Sequence, residues 1–279
     1  MPSVRIPKWV GWPLLVLWTY FVLSLLVQWS MFHPEQYPGG LWHLQEHFKA
    51  EDVWLTTSDG VRIHGWKLRA RPHAEQSHAE WVTLYLHGNA GNLTHRVDHM
   101  ETIPRVGSDL LIIDYRGYGK SEGKPTEEGI YRDADAAYEY LVEAGYRPEN
   151  LVVYGESLGT AVAVDLASRR ECAGVVLEAP FPSASAVASS VLPLLGPLAA
   201  RGYLETAKKL PRVKAPVLVI HGTKDQVIDH ELGRAVFEAA PEPKQFWSVE
   251  GARHSDILEV AREQYPARLS EFFDQLRVR

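Results

Sequence analysis

Beyond residue 50 the chain alternates between short apolar runs and longer stretches with helical spacing. Residues 53–57 and 61–68 flank Ser58, Asp59 and Gly60, a pattern that predicts a β-hairpin. Residues 82–87 (VTLYLH) and 110–115 (LLIIDY) are unbroken apolar runs of strand length, as expected for strands covered on both faces. Residues 151–154, 175–179, 216–221 and 245–250 complete the strand set. Between these runs the period changes to that of a helix, at 94–106, 126–144, 160 to about 170, 231–240 and 256–276. The second of these opens on Thr126 before Glu127 and Glu128 and stops at Gly145. Residues 70–80 are polar and read as an exposed loop. Apolar strands alternating with helices predict the α/β class, a mostly parallel sheet with helices on both faces. In such sheets function gathers at the carboxyl ends of the strands.

Two stretches break the alternation. Residues 10–28 read VGWPLLVLWTYFVLSLLVQ, nineteen positions without a formal charge. As a helix rising about 1.5 Å per residue they reach about 29 Å, enough to cross a hydrocarbon core. Trp9 and Trp29 flank the run, where interfacial aromatics belong, and Pro13 disturbs only the first turn. The run is longer than the apolar region of a cleaved signal peptide, and WSMFHP after it has no A-x-A-like cleavage site. Residues 1–29 are therefore expected to form an uncleaved signal-anchor with one transmembrane helix. Arg5 and Lys8 precede the run and only Lys49 follows it closely, so the N-terminus is expected in the cytoplasm and the remainder on the far side. Residues 30–50, with Pro34, Pro38, Gly39 and Gly40, read as a connector, and 51–279 as one domain.

The second break is at 181–212, rich in small and apolar residues. It falls between what are counted as the sixth and seventh parallel strands and is expected to form a short cap. Its segment VLPLL at 191–195 fits an acyl-binding wall, a bilayer contact or the packing of a small helix alike.

Composition adds exclusions. The chain is 46 % hydrophobic and 23 % charged, a globular balance whose apolar excess lies at the front. Lys+Arg 29 against Asp+Glu 35 gives a net charge of −6 with no basic run, which removes nucleic acid from the expected partners. Cys172 is the only cysteine, so no internal disulfide can form, and it reads as a small buried apolar side chain.

The candidate chemistry centres on GESLG at 155–159. A bare G-x-S-x-G says little, but here an apolar strand precedes it and a helix pattern follows. A turn that sharp crowds its neighbours, so glycines stand two positions either side of Ser157, whose hydroxyl is lifted clear of the sheet edge. A serine hydroxyl needs a base to take its proton and a third group to orient that base. Loops after two later strands supply them: Asp225 in HGTKDQVI and His254 in GARHSD. Asp229 and Glu178 are weaker candidates for the acid. The order serine, aspartate, histidine is that of a nucleophile-elbow hydrolase. Oxyanion donors are expected from the backbone N–H of Leu158, at a helix start, and of Asn89, in the loop after 82–87.

Other motifs have plainer readings. Asp114, Arg116 and Ser121 in DYRGYGKSEG read as a strand-end loop held by hydrogen bonds and glycine turns. Asp256 reads as the cap of the last helix. Glu156 reads as a salt-bridge partner beside the nucleophile. His95 and His99 stand four apart, but the H-E-x-x-H glutamate is absent.

From about residue 50 onward, HGNAGN, DYRGYGKSEG, GESLGT, HGTKDQVI and GARHSD together resemble the α/β-hydrolase superfamily, and within it the BEM46/ABHD13-like group of membrane-anchored serine hydrolases. The resemblance implies ester or thioester hydrolysis through Ser157, Asp225 and His254, with no metal or organic cofactor. The implied partners are a small-molecule or lipid-like acyl substrate and the membrane met by residues 10–28. A peptidase or amidase of the same fold and a non-catalytic membrane-anchored binding protein are the competing readings.

Overall fold

The structure, a computed structural model, describes residue 18 and residues 31–71, 81–193 and 195–277. Apart from Trp18, the apolar span at 10–28 lies outside the described residues. Among the described residues no helix is long and apolar enough to cross a membrane.

The hairpin forms as expected, from antiparallel β1 (Glu51–Thr56) and β2 (Arg62–Leu68). The strands β3 (Trp81–Leu86), β4 (Ser108–Ile113), β5 (Leu151–Glu156), β6 (Gly174–Glu178), β7 (Val217–Gly222) and β8 (Lys244–Val249) follow. Together they make one eight-stranded sheet in the order β1-β2-β4-β3-β5-β6-β7-β8. β2 runs antiparallel to β4, and every later pairing is parallel. The break at 181–212 thus falls between β6 and β7, the sixth and seventh strands of the sheet, of which β2 alone runs against the others.

Period-two alternation persists inside the unbroken apolar strands. Val82, Leu84 and Leu86 of β3 and Leu151 and Val153 of β5 face one core, with Ala134 and Leu141 of α3 (Glu127–Glu143) and Val162 and Leu166 of α4 (Leu158–Ala167). Tyr85, Val152 and Tyr154 face the other, with Met100 and Ile103 of α2 (Val97–Arg105) and Leu269 and Phe272 of α10 (Gln264–Arg277). Each such buried side chain contributes about 1.5–3 kcal/mol. Thr126 caps α3, its side chain accepting the Gly129 N–H at 3.1 Å. Every residue of α4 is buried, which explains its lack of a polar stripe.

Three elements differ from the sequence reading. Residues 94–106 divide into a 3₁₀ turn at Leu93–His95 and α2, because the Asn92 side chain caps the turn first. Residues 256–276 divide into α9 (Ile257–Val260) and α10, where Pro266 cannot sit mid-helix but is accepted in a first turn. Residues 31–50 are more than a connector. His33–Pro34 pairs in parallel with Ala90–Gly91, and Phe48, at the end of α1 (Leu44–Phe48), and Ala50 join the second core.

Strand ends align across the sheet. Leu86 pairs with Gly155, Glu156 with Glu178, Glu178 with Ile220 and Val249 with Gly222. β3 has β4 on one side and β5 on the other, so the loops leaving β3 and β5 diverge at a switch point.

Candidate active site

At that switch point β5 turns straight into α4. Ser157 occupies the turn with φ 50° and ψ −114°, a region L-residues rarely enter. The neighbouring glycines leave no alternative. A Cβ on Gly155 would stand 2.4 Å from the Gly159 carbonyl oxygen, and one on Gly159 would stand 1.9 Å from that of Leu86. The Ser157 N–H donates to the Glu178 carbonyl at 2.8 Å, tying the turn to β6.

The loops after β7 and β8 bring the two expected partners to this hydroxyl. His254 Nε2 lies 3.0 Å from Ser157 Oγ, and His254 Nδ1 lies 2.7 Å from Asp225 Oδ2. Asp225 Oδ1 accepts the N–H groups of Val227 at 2.8 Å and Ile228 at 2.9 Å, which fixes the carboxylate on its own loop. Burial opposes its charge, but hydrogen bonds from His221 and His254, the His254 charge and the Ile228 N–H outweigh it and hold its pKa well below the carboxylate range. Burial likewise opposes a charged His254. The hydrogen bond and charge of Asp225 win there too, and the histidine pKa is raised.

Asn89 and Leu158 both line the cavity above Ser157. The Asn89 side chain is used structurally: its Oδ1 accepts from the His33 N–H at 2.8 Å and the Tyr118 hydroxyl at 3.0 Å. Its loop is clamped from both sides. Glu156 Oε2 accepts the Gly88 N–H at 3.2 Å, and Arg96 Nη2 donates to the Ala90 carbonyl at 3.1 Å. The two clamps are joined, since Arg96 Nε donates to Glu156 Oε2 at 2.7 Å and the Tyr85 hydroxyl donates to the same atom at 2.9 Å. Burial opposes the Glu156 charge, but the charges of Arg96 and His99 and these hydrogen bonds lower its pKa to about 2.

The cavity has a volume of about 800 Å³. Its wall on the cap side is apolar, built from Phe181, Val187, Leu192, Ala200 and Leu204. The lining also carries His95, Asp98, His99 and Glu259. The cap itself consists of α5 (Ala184–Val191), α6 (Gly196–Ala199) and α7 (Thr206–Lys209).

Comparison with known proteins agrees with this fold. A family model described as serine aminopeptidase, S33, matches residues 77–211 and 199–261. Human alpha/beta hydrolase domain-containing protein 17B is 38% identical over 225 residues, covering 78% of this chain and 73% of its own length. The mouse 17C protein is 40% identical over 196 residues, covering 70% of this chain and 60% of its own. The chain belongs to the α/β-hydrolase family. Among solved structures, an esterase from Pyrococcus furiosus superposes with a TM-score of 0.72 at 22% identity, covering 88% of this chain and 98% of that one, a likeness of fold. These relatives place the chain in the superfamily, a broader assignment than the BEM46/ABHD13-like group.

The remaining candidates fall into place on this hydrolase fold. Glu178 is engaged elsewhere, accepting from His99 Nε2 at 3.1 Å and from the hydroxyls of Tyr154 and Tyr265. Asp229 caps α8 (His230–Ala239), accepting the Glu231 N–H at 2.9 Å. Asp256 does not cap a helix with its side chain. It accepts the Arg253 N–H at 2.6 Å and so closes the turn that carries His254. His95 and His99 do not converge, since the break at Arg96 separates them: His95 meets Asn92 and Glu35, and His99 meets Glu178. Among the described residues no group of three His, Cys, Asp or Glu side chains could hold a metal.

The DYRGYGKSEG loop is structural as read. Ser121 Oγ donates to the Asp114 carbonyl at 2.7 Å, and Arg116 joins Asp133 and Asp59. Arg96, Tyr85, Tyr118 and His33 were not singled out by the sequence. The pairing of β3 with β4 and β5 and the docking of residues 33–34 bring them to the site.

Proposed function

We propose that this chain is a membrane-anchored serine hydrolase that cleaves carboxylic esters or thioesters through an acyl-enzyme on Ser157. The observation that carries the proposal is the unbroken hydrogen-bond relay from Asp225 through His254 to Ser157 Oγ. In this reading His254 takes the serine proton as Oγ attacks the acyl carbonyl. Asp225 fixes the ring tautomer and stabilises the imidazolium. The N–H groups of Asn89 and Leu158 receive the developing oxyanion, the latter at the positive end of α4. His254 then protonates the leaving group, and water, activated by the same ring, releases the acid.

The apolar cap wall supports an acyl substrate, because a chain of methylenes gains about 0.8 kcal/mol for each one buried. Residues 10–28 support the anchor, with the N-terminus in the cytoplasm and the hydrolase domain on the other side. A second reading, amide or peptide cleavage, draws on the aminopeptidase description of the family model and on the acidic Asp98 and Glu259 of the cavity lining.

The test is labelling of isolated membranes with a fluorophosphonate probe. The wild type should label and Ser157→Ala should not. A folded wild-type protein that stays unlabelled would overturn the hydrolase reading. An acyl series on esters, thioesters and amides then separates the two substrate classes.

A further inference from the structure

The cavity is bordered by apolar side chains that reach solvent. Leu192 and Val227 line it and are nonetheless 46% and 60% exposed, which places them on its rim. Leu195 and Leu198 flank the lining residue Gly196 and are 52% and 56% exposed, and Val260 follows the lining residue Glu259 at 50%. These are five of the large apolar side chains that the folded domain leaves most open. An apolar rim around a site mouth marks a contact surface.

The chain itself points to what covers it. Met31 lines the same cavity, and residues 33–34 are fixed against the loop that carries Asn89. The apolar span ends at Gln28, three residue steps earlier. Three steps cover at most about 11 Å even when fully extended. A bilayer crossed by residues 10–28 therefore lies within about 11 Å of chain from a wall of the cavity.

Resting on the membrane-anchored hydrolase reading, we propose that the exposed cap leucines and the rim valines seat in the lipid surface. The mouth of the site then opens onto the bilayer, and the acyl chain of the substrate enters sideways out of the lipid without passing through water. The occupant of the rim is the bilayer to which the chain is tethered.

The experiment uses the full chain reconstituted in phosphatidylcholine bilayers, with Cys172→Ala as background. A nitroxide at Leu195→Cys should collide with oxygen more than with a water-soluble nickel chelate. One at Val142→Cys, exposed near the far end of α3, should do the reverse. The pair Leu195→Ser/Leu198→Ser should lower kcat/KM about tenfold for a long-chain ester dissolved in the bilayer and leave a water-soluble acetate ester unchanged.

A label at 195 that stays in water would overturn the proposal. So would one shielded only as the protein-to-lipid ratio rises, which would give the rim to a second copy of the chain. A lipid-exposed label on a protein that hydrolyses neither ester would leave the docking standing and remove the hydrolase reading instead.

Discussion

At the residue scale the proposed chemistry depends on one proton. His254 must be neutral to accept it, and its pKa is raised because the Asp225 hydrogen bond and charge outweigh burial. kcat/KM should therefore fall as pH drops, along a limb centred above the ordinary histidine value of about 6.5. Asp225→Asn removes the charge that raises it. The limb should move to lower pH while kcat falls on the order of 10⁴-fold, measured as a pH–rate profile on an ester. That Ser157, Asp225 and His254 meet was legible in the sequence because each follows a strand at a short offset, in the chain order of an elbow hydrolase. Arg96 was not. It stands sixty positions before Glu156, and nothing local to either residue records that they meet. Asp256 was misjudged for a different reason: an acidic residue at a helix start can bind the turn behind it as well as the helix ahead.

At the element scale two strand ends share one clamp. Glu156, the last residue of β5, and Arg96, before α2, hold the residues on either side of Asn89. Arg96→Met should let that loop drift and lower kcat about ten- to a hundredfold with a smaller change in KM, seen in steady-state kinetics. Glu156 has a folded pKa of about 2 against about 4.3 when unfolded, so its stabilisation is whole above about pH 4.3 and lost as pH falls toward 2. Urea midpoints of Glu156→Gln should accordingly vary less with pH across that window than those of the wild type. Gly159→Ala should cost about 3 kcal/mol or lose the elbow outright, because its methyl would meet the Leu86 carbonyl. The strands were readable because continuous apolar runs of that length have few other solutions. The helix breaks at Arg96 and before Pro266 were not, since apolar spacing carries across a short break unchanged.

At the scale of the whole molecule, the proposed chemistry lies at one edge of the sheet, in a cavity that the cap helps to wall. Ala200 lies on the apolar wall, so Ala200→Phe should shorten the longest acyl chain accepted and spare acetate esters, as a chain-length series would show. The α/β architecture was legible because strands and helices alternate in order. The role of residues 31–37 was not. Pro34, with Pro38, Gly39 and Gly40 just after, made the whole of 30–50 read as a connector, whereas the fit of 31–37 to the domain comes from long-range pairing: the Tyr37 N–H donates to the Gly119 carbonyl at 2.8 Å and the Glu35 N–H to that of Gly91 at 3.1 Å. That pairing has a practical consequence for anyone making a soluble form. The obvious place to trim the chain is residue 51, where the sheet begins. A protein started there loses the strand that braces Ala90 and Gly91 and the backbone amide that holds Asn89. It should turn over slowly, and because Phe48 and Ala50 of the second core go with the brace, its urea midpoint should fall as well. Starting at residue 31 keeps the brace.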